Sequence, residues 1–138
     1  MNWEIDLNCD MGEGMPNDAV IIPYVSSISI ACGGHAGNKD SIRETIQLAK
    51  RANVSIGAHP SYPDRENFGR KKMDIPYSSL EESLISQLSI IRAIASEENY
   101  PLVHLKPHGA LYNQAAIDPV LAQLIVTISK NMDPRWSI

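Results

Sequence analysis

Strand-like and helix-like stretches alternate along the chain, and that alternation constrains the fold more than any other feature. The short runs Ser27 to Ala31, Val54 to Ala58 and Leu102 to Lys106 are each followed by a loop and then a helical pattern. A strand–helix–strand unit brings the chain back to the same end of the sheet before the next strand starts, so its strands lie parallel. In parallel architectures, ligands and catalytic groups gather at the C-terminal ends of the strands. All four histidines fall at such ends: His35 in CGGHAG, His59 in IGAHPSYPD, His104 and His108 in VHLKPHGALYN. Carboxylates and imidazoles converging on one end of a sheet are the makings of an active site.

The elements follow from periodicity. A first strand is expected over Trp3 to Cys9, with Trp3, Ile5, Leu7 and Cys9 on one face and Glu4, Asp6, Asn8 and Asp10 on the other. Ala19 to Ser26 is interrupted by Pro23 and is expected to make a turn or two. A helix is expected over Lys39 to Asn53, with Ser41 and Glu44 spaced as a capping box and Ile42, Ile46, Ala49 and Ala52 on one face. Pro60 to Pro76 is a long connection carrying most of the local basic charge; connections of that length are more often functional than idle. A second helix is expected over Ser79 to Glu98, capped by Ser79 and Glu82, with Leu80, Leu84, Leu88, Ile91 and Ala95 as its buried stripe. Asp118 and Pro119 open a third as N-cap and first-turn proline, with Val120, Leu124 and Ile128 facing the core. Asp133-Pro134 ends it, and Trp136 to Ile138 reads as the start of a fifth strand. One domain is expected over residues 1–138, with four or five strands of a closed parallel barrel that typically needs ~250 residues.

Composition narrows the function. The net charge of −4, with no basic run longer than Arg70-Lys71-Lys72, argues against nucleic-acid binding. No apolar run approaches the ~20 residues of a membrane span, and the acidic N-terminal stretch is unlike a signal peptide, so a cytoplasmic location is expected. Cys9 and Cys32 are too few for a disulfide framework and lack CxxC spacing; reduced, half-buried thiols are expected.

The chemistry is concentrated in four loops. DLNCDMGEG ends a strand in a glycine-rich turn with Asp10 and Glu13 as candidate base or ligand; the bland alternative is a turn whose carboxylates cap local amides. CGGHAG surrounds His35 with three glycines, as a backbone passing close to another group requires. In GAHP and KPHG, a proline beside the histidine fixes the direction of the strand exit, holding His59 and His108 in place. Two readings stay open. Asp10, His59 and His108 (or His104) make a carboxylate–histidine set for a hydrolytic metal, against which stands the lack of HxxxH or other tight ligand spacing. Alternatively the histidines act as general acid or base without metal, with Lys106 neutralising a carboxylate or developing charge. His104 and Lys106, two apart, share a strand face. Arg70 sits in a candidate lid for an acidic substrate, while Tyr112 and Asn113 are candidate polar pocket groups.

Taken together, DLNCDMGEG (Asp6 to Gly14), ACGGHAG (Ala31 to Gly37), GAHPSYPD (Gly57 to Asp64), FGR (Phe68 to Arg70) and HLKPHGALYN (His104 to Asn113) resemble the LamB/YcsF family, the A subunits of bacterial 5-oxoprolinase. The resemblance spans nearly the whole chain in order and covers the N-terminal half, or slightly more, of that family. It implies a distorted seven-stranded β/α barrel of the deacetylase-like type, here truncated to four or five strands. It implies ATP-dependent hydrolysis of 5-oxo-L-proline to L-glutamate with partner subunits B and C, on which ATP is expected to bind because no Walker A sequence is present. Asp10, Glu13, His35, His59, Lys106 and His108 are then expected to be catalytic, and Asp6, Asn8, Arg70, His104, Tyr112 and Asn113 to bind substrate. The alternatives are a metal-dependent amidohydrolase or deacetylase-like enzyme holding a divalent metal, and a non-catalytic small-acid-binding fragment.

Three positions depart from the family pattern. Gly34 stands where an aromatic is usual, which is expected to loosen the pocket. Asn38 replaces a usual Asp, and Met15-Pro16 replaces a usual Phe-Gly. Half a barrel leaves an unpaired strand edge, so self-association, or pairing with a complementing chain, is expected.

Overall fold

A computed structural model describes residues 4–138. Four strands form one parallel sheet in the order β1 (Asn8–Met11), β2 (Ser27–Ala31), β3 (Ser55–His59), β4 (Leu102–Leu105). Spatial order equals chain order, as it does in a barrel wall. Ser137 already bridges His104 in parallel, its carbonyl accepting from Leu105 N at 2.8 Å, so the next strand begins against β4 as expected. The helices are α1 (Asp18–Ile21), continued by a 3-10 turn over Ile22–Tyr24, then α2 (Lys39–Ala52), α3 (Tyr77–Glu97), α4 (Gly109–Ala115) and α5 (Pro119–Met132).

The two faces of the sheet differ in chemistry, and period-two alternation is the reason. Ile28, Ile30, Ile56, Ala58, Leu105 and Met11 belong to the main hydrophobic core, with Ile42 and Ile46 of α2, Leu80, Leu84, Leu88 and Ile91 of α3, and Leu121, Ile125 and Ile128 of α5. The other face carries Asn8, Asp10, Ser27, Ser29, Gly57, His59, His104 and Lys106, joined by side-chain hydrogen bonds or, at Gly57, crossed by a ring. That is the inside of a barrel wall, and it is polar.

Several local expectations are corrected. The first strand starts later than expected; Trp3 lies outside the described residues. Ile5 and Leu7 are 81% and 54% exposed: the paired register with β2 starts only at Asn8 opposite Ser27, and Leu7 is tied to it by its carbonyl, which accepts from Ser26 N and Ser27 N. The capping box of α2 is Asn38 with Ser41, not Ser41 with Glu44: Asn38 Oδ1 accepts from Ser41 N at 2.9 Å and Ser41 Oγ from Asn38 N at 2.8 Å. Ala52 is exposed, and Thr45 takes its place in the buried face. The N-cap of α3 is Pro76, with no side-chain cap, so Ser79 and Glu82 lie inside the helix. On α5 the N-cap Asp118 is as expected, but Val120 is 64% exposed and the core face is Leu121, Ile125 and Ile128. The short helix α4, immediately after His108, has no counterpart in the sequence pattern.

Candidate active site at the strand ends

Each wall of the site is one strand exit, fixed by its own tether. After β1 the chain turns at Gly12, φ +73°, whose N–H donates to Asp18 Oδ2 at 2.8 Å, returning Glu13 over the sheet end. After β2 the CGGHAG loop closes on itself through Gly33 N to Ala36 O, 2.8 Å. Arg65 Nη1 staples it from outside, donating to the carbonyls of Gly33 and Gly37 at 2.9 Å each. His59 is the last residue of β3 itself. Beyond β4, His108 is held by its N–H to Pro60 O at 2.8 Å, and Ala110 N by Gly69 O at 2.9 Å.

These tethers bring Glu13, His35, His59 and His108 into one group whose ligand-capable atoms all lie within 4.8 Å of one another. The three imidazoles are buried and Glu13 is partly buried. His35 Nε2 meets Glu13 Oε1 at 2.8 Å, and its ring stacks on His108 with centroids 3.6 Å apart and planes 4° from parallel. His59 Nδ1 donates to Lys106 O at 2.6 Å, and His108 Nε2 to Phe68 O at 2.9 Å. The remaining nitrogens, His59 Nε2 and His108 Nδ1, face each other at 3.0 Å. Phe68 adopts φ +54°, an unfavourable backbone for a bulky residue, and so turns its carbonyl to His108. Its ring walls the site edge-on against His35 and His108.

Beside this group, Lys106 Nζ forms an ion pair with Asp10 and reaches Asn8 Oδ1 at 3.3 Å, while Asp10 Oδ2 lies 3.3 Å from His59 Nε2. Burial pushes the Asp10 carboxyl up, but its contacts with the His59 ring and the Lys106 ammonium outweigh it and hold the group well below the usual carboxylate range. Glu13 follows the same pattern, with burial opposed by the hydrogen bond to His35 and the nearby imidazoles, for a net lowering. His108 is lowered chiefly by desolvation, so at neutral pH it is a neutral imidazole.

Asp10, His59, Lys106 and His108 open onto a cleft of about 460 Å³, whose other walls include Arg70, Tyr112 and Asn113. Thus all six residues expected to be catalytic come together, and three of the six substrate-binding candidates line the cleft. The other three do not. Asp6, Asn8 and His104 lie in a polar chain further across the inner face, which Lys106 joins at Asn8: Ser27 Oγ donates to Asp6 Oδ2 at 2.8 Å, Ser29 Oγ to Asn8 Oδ1 at 3.0 Å, and His104 Nε2 lies 3.0 Å from Ser29 Oγ. His104 is therefore outside the metal-capable group, whose carboxylate is Glu13 and whose third imidazole is His35; the set of Asp10, His59 and His108 is corrected accordingly. Spacing in sequence is no guide here, because each donor comes from a different loop. Gly34 does not loosen the pocket either. A Cβ there would collide with Ser61 and come within 2.8 Å of Gln87 Cδ, so the glycine is required by close packing.

Three positioning groups are not among the candidate site residues: Gln87, Arg65 and the Phe68 carbonyl. Gln87 of α3 is buried and clamps the exit of β3, accepting from Ser61 N at 3.0 Å and donating to Ser61 O at 2.9 Å. A polar residue within the apolar stripe of α3 is its signal. Arg65 and the Phe68 carbonyl have none, because the Arg65 side chain reaches backbone carbonyls of a distant loop and Phe68 contributes its own backbone carbonyl.

The LamB/YcsF family model matches residues 5–138. The chain belongs to the LamB/YcsF family. Among solved structures it is similar to the lactam utilization protein from Thermus thermophilus, at 39% identity and a TM-score of 0.92. That match covers 96% of this chain and 56% of the other, so the chain spans little more than half the length of its LamB/YcsF relative. The truncated or distorted parallel barrel and the family assignment agree with what the motifs implied. No helix among the described residues is long and apolar enough to cross a membrane.

Proposed function

We propose that this chain carries the lactam-opening site of an ATP-dependent 5-oxoprolinase, converting 5-oxo-L-proline to L-glutamate together with subunits B and C. The observation that carries the reading is the placement of the Asp10–Lys106 ion pair beside the Glu13–His35–His59–His108 group on one wall of a cleft. Family membership and the name of the Thermus protein support lactams as the substrate class.

A five-membered lactam is a stable amide, and water alone is a poor reagent against it. Phosphorylation of the lactam oxygen from ATP, on a partner subunit, makes the carbonyl carbon a better electrophile. A first water forms a C–O bond to that carbon, the ring C–N bond breaks as the nitrogen takes up a proton, and a second water hydrolyses the resulting acyl phosphate to L-glutamate and phosphate. Lys106 neutralises the negative charge on the lactam oxygen or its phosphate. Arg70, at the cleft rim, is suited to the substrate carboxylate. Asp10 is too strong an acid for an effective base at neutral pH, and its part is to orient Lys106 and His59. The lone pairs of Glu13, His59 and His108 are where water is held and gives up its proton.

In the complex reconstituted with subunits B and C, Lys106→Met and Asp10→Asn should each lower 5-oxoproline-dependent glutamate formation by roughly 10²–10³-fold. Unchanged rates in both would overturn the proposal. The histidine-rich group also favours a second reading, a metal-dependent amidohydrolase that needs no nucleotide. Glutamate formation that persists at full rate without ATP would select it.

A further inference from the structure

We propose that Glu13, His59 and His108 bind one divalent transition-metal cation of the zinc type, with His35 orienting the carboxylate. The proton positions carry the argument. A backbone carbonyl only accepts, so the contact of His59 Nδ1 with Lys106 O places the proton on Nδ1 and leaves Nε2 bare. The contact of His108 Nε2 with Phe68 O likewise leaves His108 Nδ1 bare. The two bare nitrogens then face each other at 3.0 Å, which is no hydrogen bond between two acceptors. Glu13 Oε1 lies 3.7 Å from His108 Nδ1 and 3.9 Å from His59 Nε2, and Asp10 Oδ2 lies 3.3 Å from His59 Nε2. Converging lone pairs of this kind need a positive charge among them.

A single proton between them joins the two nitrogens as N–H···N, at the cost of one imidazolium, but leaves Glu13 Oε1, 3.7 and 3.9 Å away, without a partner among them. A divalent cation satisfies both nitrogens and the carboxylate together. Imidazoles whose second nitrogen donates to a backbone carbonyl have the outer-shell support that metal-bound histidines use, because it fixes tautomer and ring direction. Here that support has a backbone cost, since Phe68 must hold φ +54° to present its carbonyl. The neighbouring Gly69, at φ +63°, leaves room for the rings: a Cβ there would lie 3.0 Å from His108 Cδ2 and 3.0 Å from His35 Cβ. Two imidazole nitrogens and one carboxylate oxygen suit zinc and its first-row neighbours rather than magnesium or calcium, which prefer oxygen. Three protein ligands with a side open to the cleft is the composition of a catalytic rather than a structural centre, and such a cation lowers the pKa of a bound water.

The test is binding, independent of turnover. The full chain is stripped with a chelator and titrated calorimetrically with Zn²⁺ and, separately, with Mg²⁺; Co²⁺ loading is followed by its visible absorption. One Zn²⁺ per chain is expected, with Mg²⁺ at least about 100-fold weaker. Glu13→Gln, which keeps shape at a partly exposed position, should weaken Zn²⁺ by about tenfold or more while circular dichroism stays unchanged, and His59→Asn should do the same. His35→Gln should weaken it less. Absence of stoichiometric uptake by the wild-type chain, or uptake unaltered in Glu13→Gln, overturns the proposal; so does uptake abolished by Cys9→Ser, which would place the cation on a thiol. A chain that binds Zn²⁺ yet opens no lactam in the reconstituted complex would overturn the functional reading and leave this one standing.

Discussion

Replacing Gly57 by alanine should destabilise the chain by about 2–4 kcal/mol, although the change adds one methyl group. Gly57 lies in the middle of β3, buried, and a Cβ built there comes far inside van der Waals distance of His104 Cδ2, Nε2 and Cε1. The ring crosses the strand at this point to reach Ser29 Oγ, 3.0 Å away. The clash cannot be relieved by a small rotation, so the ring has to leave. Overpacking of this kind costs about 1–3 kcal/mol. Losing the hydrogen bond to a buried serine adds about 1 kcal/mol. With an unfolding entropy of ~2.1 cal/mol/K per residue over 138 residues, a loss of ~3 kcal/mol lowers Tm by roughly 10 °C. The assay is urea and thermal unfolding of wild type, Gly57→Ala, His104→Ala and the double variant. Because His104→Ala vacates the space that the new methyl needs, the double variant should be more stable than additivity demands by about 1–3 kcal/mol. A Gly57→Ala chain within about 0.5 kcal/mol of wild type, or strict additivity in the cycle, would refute the reasoning.

Three other outcomes are expected. Desolvation lowers the His104 pKa, so the unfolded chain binds more protons than the folded one just below the ordinary histidine value; stability should fall as pH drops from about 6.5, and His104→Gln should flatten that slope in pH-dependent urea unfolding. An unchanged slope would show that His104 is not the group responsible. Asn38→Ala should cost about 1 kcal/mol by removing the capping box of α2, while Asn38→Asp should stay near wild type in the same unfolding assay. Burial pushes the Cys32 thiol up to about 12, so at pH 8 a thiol reagent should label Cys9 in the folded chain and reach Cys32 only after unfolding; fast labelling of both would contradict the packing around β2.

How much of this is legible beforehand depends on the range of the interaction involved. Alternation of residues such as Ser27-Ile28-Ser29-Ile30 and the stripe Leu80–Leu84–Leu88–Ile91 are local patterns, and they suffice for a parallel sheet with helices covering one face. The same locality places Asp118 as an N-cap and brings the loops holding Glu13, His35, His59 and His108 to one end of the sheet. Local patterns fail where a nearer competitor wins, as when Asn38 takes the cap from Ser41. They fail too where a small rotation of the helix decides exposure between adjacent residues, as for Val120 against Leu121. Only the tertiary structure decides which histidine leaves the group. His59 and His104 both follow strand patterns, yet a bulge between Ile56 and Gly57 sets the β3–β4 register so that His104 turns across Gly57 towards Ser29, away from the cluster. Nor does the sequence show that His59 and His108 each donate a proton to a backbone carbonyl, those of Lys106 and Phe68. Those contacts join residues 47 and 40 positions apart and exist only once the loops have closed. The residue types needed for the chemistry are written in the chain, but the lone pairs that face one another are made by the fold.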